Sequence, residues 1–346
     1  AMTVVSGALW EPAGEARVAS AFRSAGQRCS ALRMLYVQDD IYEPLLTMLI
    51  GAAETQTLGD PQDFTTDIGP VIDAEAKADI DSHVDQARAD GRLIWQGKAP
   101  QGVFCAPAII ELPTISALQR EVFGPVLHIA PYPAGGENQV IADINARGYG
   151  LTFGVHSRIA QRYRACAHAS SAGNVYINRN QIGAIVGSQP FGGHRLSGTG
   201  PKAGGPLYLG AFTLDHEPQV TSSAQYMPGP DGEETLYRAT PRGRILCFEP
   251  YPQKLAELAA RIDATGTTAI AGSSLPQALS GISAVVIREH SGLDVTALRS
   301  LIASTPGPLI PLIGDVGATA WLYTETHHCT DLTASGGNTQ LLTRSG

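Results

Sequence analysis

The chain has no run of lysine or arginine, and its 32 acidic against 24 basic residues leave a net charge of −8. That balance gives nucleic acid and anionic membranes nothing to hold. No apolar stretch approaches the roughly 20 residues that cross a bilayer. The opening residues, Ala1-Met2-Thr3-Val4-Val5, lack the charged and apolar regions of a secretory signal. No Cys-x-x-Cys occurs: the five cysteines, Cys29, Cys105, Cys166, Cys247 and Cys329, are odd in number and widely spaced. This argues against a disulfide framework and against a zinc site, and leads us to expect a reducing, cytoplasmic setting. His327-His328-Cys329 has no further ligands at suitable spacing, so no metal is expected there. There is no short-period repeat.

What is present is a chain of 346 residues, 43% hydrophobic, enough for about two domains. Ala16 to Ala25 reads as a helix leading into Gly26. Strands are expected at Met34–Val37, Leu93–Trp95, Ala108–Ile110, Val126–Ala130, Thr152–His156 and Asn174–Asn178. Helical patterns lie between them at Ile41–Thr55, Asp73–Ala89, Gln139–Asn145 and Ile159–Ala169. The alternation predicts an α/β fold with a mostly parallel sheet. A glycine-rich stretch, Gly183 to Gly210, is followed by a polar segment containing Pro228-Gly229-Pro230-Asp231-Gly232, where a linker is expected. Beyond it, strands at Ile245–Phe248, Thr268–Ile270, Ala284–Ile287 and Leu309–Leu312 alternate with helices at Lys254–Ala264 and Val295–Ala303, a second and smaller α/β unit.

Gly26-Gln27-Arg28-Cys29-Ser30 carries the chemistry. A cysteine between glycine and serine at a helix-to-turn junction has little reason to be there for packing alone. A thiolate there can attack a carbonyl, its own amide N–H can donate to the developing oxyanion, and Gly26 allows close backbone approach. Cys105, Cys166 and Cys247 sit in apolar segments and are expected in the core. The segment resembles the nucleophile loop of the aldehyde dehydrogenases. In that resemblance Cys29 is the catalytic nucleophile. Glu121-Val122-Phe123-Gly124-Pro125-Val126 resembles the family's cofactor-contacting segment, which implies that Glu121 accepts from the nicotinamide ribose hydroxyls and that Phe123 packs beside them, with NAD as the cofactor.

Asn178-Arg179-Asn180-Gln181-Ile182-Gly183-Ala184, leading to Gln189-Pro190-Phe191-Gly192-Gly193, makes the resemblance more specific. It is similar to the L-glutamate γ-semialdehyde (1-pyrroline-5-carboxylate) dehydrogenases of proline catabolism. By that resemblance the amides of Gly183 and Ala184 and the hydroxyl of Ser30 grip the substrate α-carboxylate, and Phe191 packs on its methylene chain; small residues with open N–H groups suit a carboxylate. Gly198-Thr199-Gly200-Pro201-Lys202-Ala203-Gly204 has the wrong spacing for a dinucleotide fingerprint and reads as a structural loop.

The chain as a whole resembles the C-terminal part of the bifunctional proline utilisation A proteins. The resemblance implies an aldehyde dehydrogenase catalytic domain over 1–213, lacking the upstream cofactor domain, then a linker over 214–235 and an aldehyde-dehydrogenase-like domain with its tail over 236–346. It also implies a preceding cofactor domain and proline dehydrogenase domain as partners, a general base upstream of Ala1 that neither Glu11 nor Glu15 replaces, a C-terminal segment Thr333–Asn338 near a passage between active sites, and a homo-oligomer. On this reading the isolated chain is incomplete. Two alternatives stay open: a truncated, non-catalytic assembly module, and a dehydrogenase for another short aldehyde.

Overall fold

The computed structural model describes the backbone of residues 2–5, and residues 17–212, 220, 223–288, 291–314 and 319–333. Glu11, Glu15 and the tail beyond Thr333 lie outside these.

Strands buried along their whole length need cover on both faces, and this is the parallel-sheet pattern seen here. All positions of β2 (Met34–Gln38), β7 (Thr152–His156) and β8 (Asn174–Ile177) are buried. With β1 (Met2–Val5), β3 (Leu93–Gln96), β4 (Ala108–Glu111) and β5 (Val126–Tyr132) they form one sheet in the order β8-β7-β1-β2-β5-β4-β3. All neighbours in this run are parallel except β3 and β4. Helices supply the cover. α1, over described residues 17–22, precedes the cysteine loop. α2 (Tyr42–Glu54) buries Tyr42, Leu45, Leu46, Leu49 and Ala53, one helical face. α3 (Ala74–Ala89) starts where the Asp73 side chain accepts from the Ala76 amide, and it buries Ile80, Val84 and Ala87. α4 (Glu137–Ala146) and α5 (Ala160–Ala169) complete the layers.

A separate two-stranded antiparallel sheet pairs β6 (Tyr149–Gly150) with β9 (His194–Arg195). The smaller unit is a four-stranded parallel sheet in the order β13 (Thr268–Gly272), β12 (Arg244–Phe248), β14 (Ala284–Ile287), β15 (Leu312–Ile313). Its helices are α6 (Pro252–Asp263) and α7 (Val295–Ser304). Separate buried clusters lie on the two faces of this sheet, around Ile245, Cys247 and Ile262 and around Leu246, Phe248 and Leu298. The α/β expectation therefore holds for both units.

Three expectations need correction. The expected linker 214–235 holds β10 (Gln225–Met227) and the start of β11 (Glu233–Pro241). β11 pairs antiparallel with β16 (Tyr323–Asp331), and β16 pairs parallel with β8. The large sheet thus runs to ten strands and takes three of them from beyond residue 213. The polar composition of 223–241 conceals the β11 strand pattern because the side chains facing inward, Thr235, Tyr237 and Ala239, are small or carry a polar tip. The helix expected over Ala16 to Ala25 stops at residue 22 and gives way to a 3-10 turn, Arg23–Gly26. The strand expected at Leu309–Leu312 is shifted to Leu312–Ile313, because Pro308 and Pro311 have no N–H to give a sheet.

Candidate active site

The turn ahead of Cys29 has three consecutive residues in the left-handed region: Ser24 at φ 56°, Ala25 at φ 51° and Gly26 at φ 65°. Side-chain residues there cost roughly 1–2 kcal/mol each, so the turn must be held by its surroundings. Gln27 holds one side. Its Oε1 accepts from the Ile72 amide at 2.8 Å and its Nε2 donates to the Pro70 carbonyl at 3.2 Å. Gly26 holds the other. A Cβ on it would lie 2.0 Å from the Gly124 carbonyl oxygen and 2.9 Å from the Pro125 nitrogen, so the cysteine loop and the Glu121–Val126 segment touch backbone to backbone. Gly124 is pressed in turn by α3: a Cβ there would stand 2.4 Å from Ile80 Cδ1.

The result is one exposed thiol, Cys29; the other four cysteines are buried and free. Burial pushes Cys105, Cys166 and Cys247 up to about 11, which keeps them protonated and unreactive at neutral pH. Ser30, next to Cys29, is buried at 6% exposure.

Arg33 ties the two segments together. It is 4% exposed. Its Nη1 donates to the Gly26 carbonyl at 2.7 Å and to the Gly124 carbonyl at 3.3 Å, its Nη2 to the Arg28 carbonyl at 3.1 Å, and its Nε to Glu121 Oε1 at 2.9 Å. The guanidinium also lies over the Phe123 ring, 4.8 Å from its centroid. Burial lowers Arg33 from its ordinary value, opposed by the hydrogen bond and charge of Glu121 and by the charge of Cys29. One planar fork thus fixes both sides of the site, a task for which a lysine has too few donors.

Cys29, Arg33 and Glu121 line one open cavity of about 350 Å³, together with Asn145, Phe153 and Leu196 among others. Phe123, Ser30, Gly183, Ala184 and Phe191 are not in its wall. Phe123 is 44% exposed on the far side of the guanidinium. Gly183, at φ 75°, is exposed and Ala184 is half-buried, and no described residue engages the amide of either. Their loop reaches the cysteine loop through Ser20 on α1: Ser20 Oγ accepts from the Gln181 amide at 3.2 Å while its carbonyl accepts from the Leu32 amide at 2.9 Å. Phe191 is half-buried and pairs with Ala203, so it belongs to the segment that contains Gly198–Gly204.

Sequence reasoning did not single out Arg33. A cation four residues after the cysteine has no local signature; its four acceptors come from segments up to 91 residues away. Ser20 was missed for the same reason. Among the described residues no group of three or more His, Cys, Asp or Glu is placed to hold a metal, and no helix is long and apolar enough to cross a membrane.

Comparison with known proteins fits this geometry. Residues 1–217 match the aldehyde dehydrogenase family. The bifunctional protein PutA of Escherichia coli is 36% identical over an alignment that takes in 99% of this chain and 33% of that protein. The chain therefore spans about a third of that relative's length. A crystallised 1-pyrroline-5-carboxylate dehydrogenase from Thermus, with bound NAD, is 34% identical and superposes with a TM-score of 0.54 over 59% of this chain and 40% of that one. Proline utilization A from Corynebacterium freiburgense shares the fold over 95% of this chain and 38% of its own, with a TM-score of 0.73 at 22% identity. On the family match and on the cysteine loop that carries it, this chain belongs to the aldehyde dehydrogenase family.

Proposed function

We propose that this chain carries the nucleophile half of an enzyme that oxidises L-glutamate γ-semialdehyde, the open form of 1-pyrroline-5-carboxylate, to L-glutamate with NAD. The observation that carries this reading is the single exposed cysteine, Cys29, on a strained loop braced by Arg33 against Glu121. The Cys29 thiolate adds to the aldehyde carbon, and the carbonyl oxygen gains negative charge as the S–C bond forms. The Cys29 amide, which no described residue engages, donates to that oxygen. NAD, when bound, accepts the hydride that leaves the same carbon. The thioester left on Cys29 is hydrolysed by water: the acyl carbon gains hydroxyl, the sulfur leaves as thiolate, and glutamate departs.

Glu121 and Phe123 would hold the nicotinamide ribose end. The Glu121 carboxylate is 52% exposed although Arg33 fixes one oxygen, so it is oriented and still open to a diol. Gly183 and Ala184 would hold the α-carboxylate through their open amides, with Ser30 as a hydroxyl donor and Phe191 against the methylene chain. This selects for aldehydes that carry the anion. Support also comes from the relatives named 1-pyrroline-5-carboxylate dehydrogenase, of which that of Geobacillus kaustophilus is 37% identical over 203 residues. A proline dehydrogenase domain and a cofactor domain as partners, a homo-oligomer and a cytoplasmic site belong to the same proposal. The five free cysteines favour a reducing compartment.

The test is NADH formation from glutamate semialdehyde and from butanal, measured with this chain alone and with it fused behind the cofactor-binding part of a 1-pyrroline-5-carboxylate dehydrogenase. The proposal expects NADH from the fusion only, with the semialdehyde strongly preferred. A fusion that folds and either fails to oxidise both or prefers butanal refutes it.

A further inference from the structure

The loop that carries Gly183 and Ala184 is pinned at its far end by strands from beyond residue 213. Gln189 is 2% exposed. Its Oε1 accepts from the Ile185 amide at 3.3 Å, which fixes the turn just past Ala184. Its Nε2 donates to Glu233 Oε2 on β11 at 3.0 Å and to Cys329 Sγ on β16 at 3.3 Å. Arg179, at the start of the loop, meets the same atoms: its Nη1 lies 2.5 Å from Glu233 Oε2 and 3.1 Å from Cys329 Sγ. The Cys329 thiol faces Glu233 Oε2 at 3.7 Å. One carboxylate oxygen therefore accepts from both ends of the loop, where the Arg179 and Glu233 side chains are only 9% and 21% exposed.

We infer that Glu233 is a positioning residue for substrate selection: by holding Arg179 and Gln189 together it sets the Gly183–Ala184 amides at the spacing that an α-carboxylate needs. This rests on the substrate reading above and gives β11 and β16 a part in it. The chemistry of the pair makes the claim sharp. A carboxylate accepts from the Gln189 amide and from the guanidinium at once. A leucine at position 233 offers no acceptor, so the Gln189 NH₂ and the guanidinium both lose the oxygen they share. Gln189 then withdraws, and the Ile185 amide loses its acceptor. A glutamine at 233 keeps an oxygen with two lone pairs in the same place and so keeps both bonds.

The readout uses this chain and needs no cofactor. Cys29 is the one exposed thiol, so its alkylation by iodoacetamide, followed by peptide mass spectrometry, reports occupancy beside it. L-Glutamate is the protecting ligand, and 4-aminobutyrate, which lacks only the α-carboxylate, is the control. In the parent chain glutamate should protect at a concentration at least about tenfold lower than 4-aminobutyrate. In Glu233→Leu that ratio should collapse toward one, and in Glu233→Gln, which keeps the shared acceptor, most of it should remain. If the parent chain shows no preference for glutamate, the substrate reading fails and this inference with it. If the parent shows the preference and Glu233→Leu keeps it, or Glu233→Gln loses it as fully, the inference alone fails. Should Glu233→Leu unfold, Gln189→Leu decides: a folded chain without the preference supports the inference, and a folded chain that keeps it overturns it.

Discussion

Replacing Gly26 with alanine tests the tightest backbone approach at any glycine among the described residues. Ordinary carbon contacts begin near 3.4 Å, whereas the new Cβ would stand 2.0 Å from the Gly124 carbonyl oxygen. The two backbones must therefore part by about 1.4 Å, and a shift of about 1 Å in a reacting group commonly lowers a rate about a hundredfold. Arg33 cannot follow both sides, since it donates to Gly26 and to Gly124 at once. The conformational part of the loss is measured separately by Gly91→Ala. Gly91 has nearly the same φ, 69°, and nothing within 4 Å of its Cβ position. Gly91→Ala should lose roughly 1–2 kcal/mol from the left-handed conformation alone. Gly26→Ala should lose that and a further 1–3 kcal/mol or so for the overpacked contact. Urea unfolding of both variants gives the difference, and iodoacetamide labelling of Cys29 reports the shift of the loop. If Gly26→Ala matches Gly91→Ala in stability and keeps the parent labelling rate, the two segments are not locked as described.

Arg33→Lys should destabilise by roughly 2–4 kcal/mol, because one ammonium cannot serve three carbonyls and Glu121, and at least one buried carbonyl is left without a donor; chemical denaturation measures it, and a loss below 1 kcal/mol or so would refute the bracing role. Acid should weaken the fold. Burial holds His128 and His194 at about 4, below the ordinary 6.5, so as the pH falls through that window the unfolded chain takes up protons first and stability drops. The loss is up to roughly 3 kcal/mol for each histidine, and equal unfolding midpoints at pH 7.5 and pH 4.5 would contradict it. Asp73→Ala removes the acceptor for the Ala76 amide at 2.8 Å and should lower stability by about 1 kcal/mol, with Cys29 labelling unchanged; a change in labelling would mean that α3 transmits more to the site than its Ile80 contact accounts for.

The parallel core was legible because its strands are apolar at nearly every position and its helices bury residues at helical spacing, as in β2 and α2. The cysteine loop was legible because glycine and serine flank a thiol that has no packing task. β11 and β16 were not. Their inward residues include the buried polar groups Thr235, Tyr237, Glu325, His327 and Cys329, and Tyr237 donates to Glu325 across the two strands at 2.8 Å. Periodicity weighs such residues as surface, and the pairing of Glu233 with Asp331 that begins the ladder joins positions 98 residues apart, by the difference of their numbers. The same distance in sequence hid Arg33 and Glu233. Each acts through partners that only the folded sheet brings near, whereas Cys29 announces itself through its immediate neighbours.

The most direct test of the central claim is to find where the substrate becomes attached. The fused enzyme, turning over glutamate semialdehyde with NAD, is quenched in acid and digested, and its cysteine peptides are weighed. The account predicts a glutamyl thioester on Cys29, none on Cys105, Cys166, Cys247 or Cys329, and no NADH from Cys29→Ser. An adduct on another cysteine, or undiminished NADH from Cys29→Ser, would contradict it.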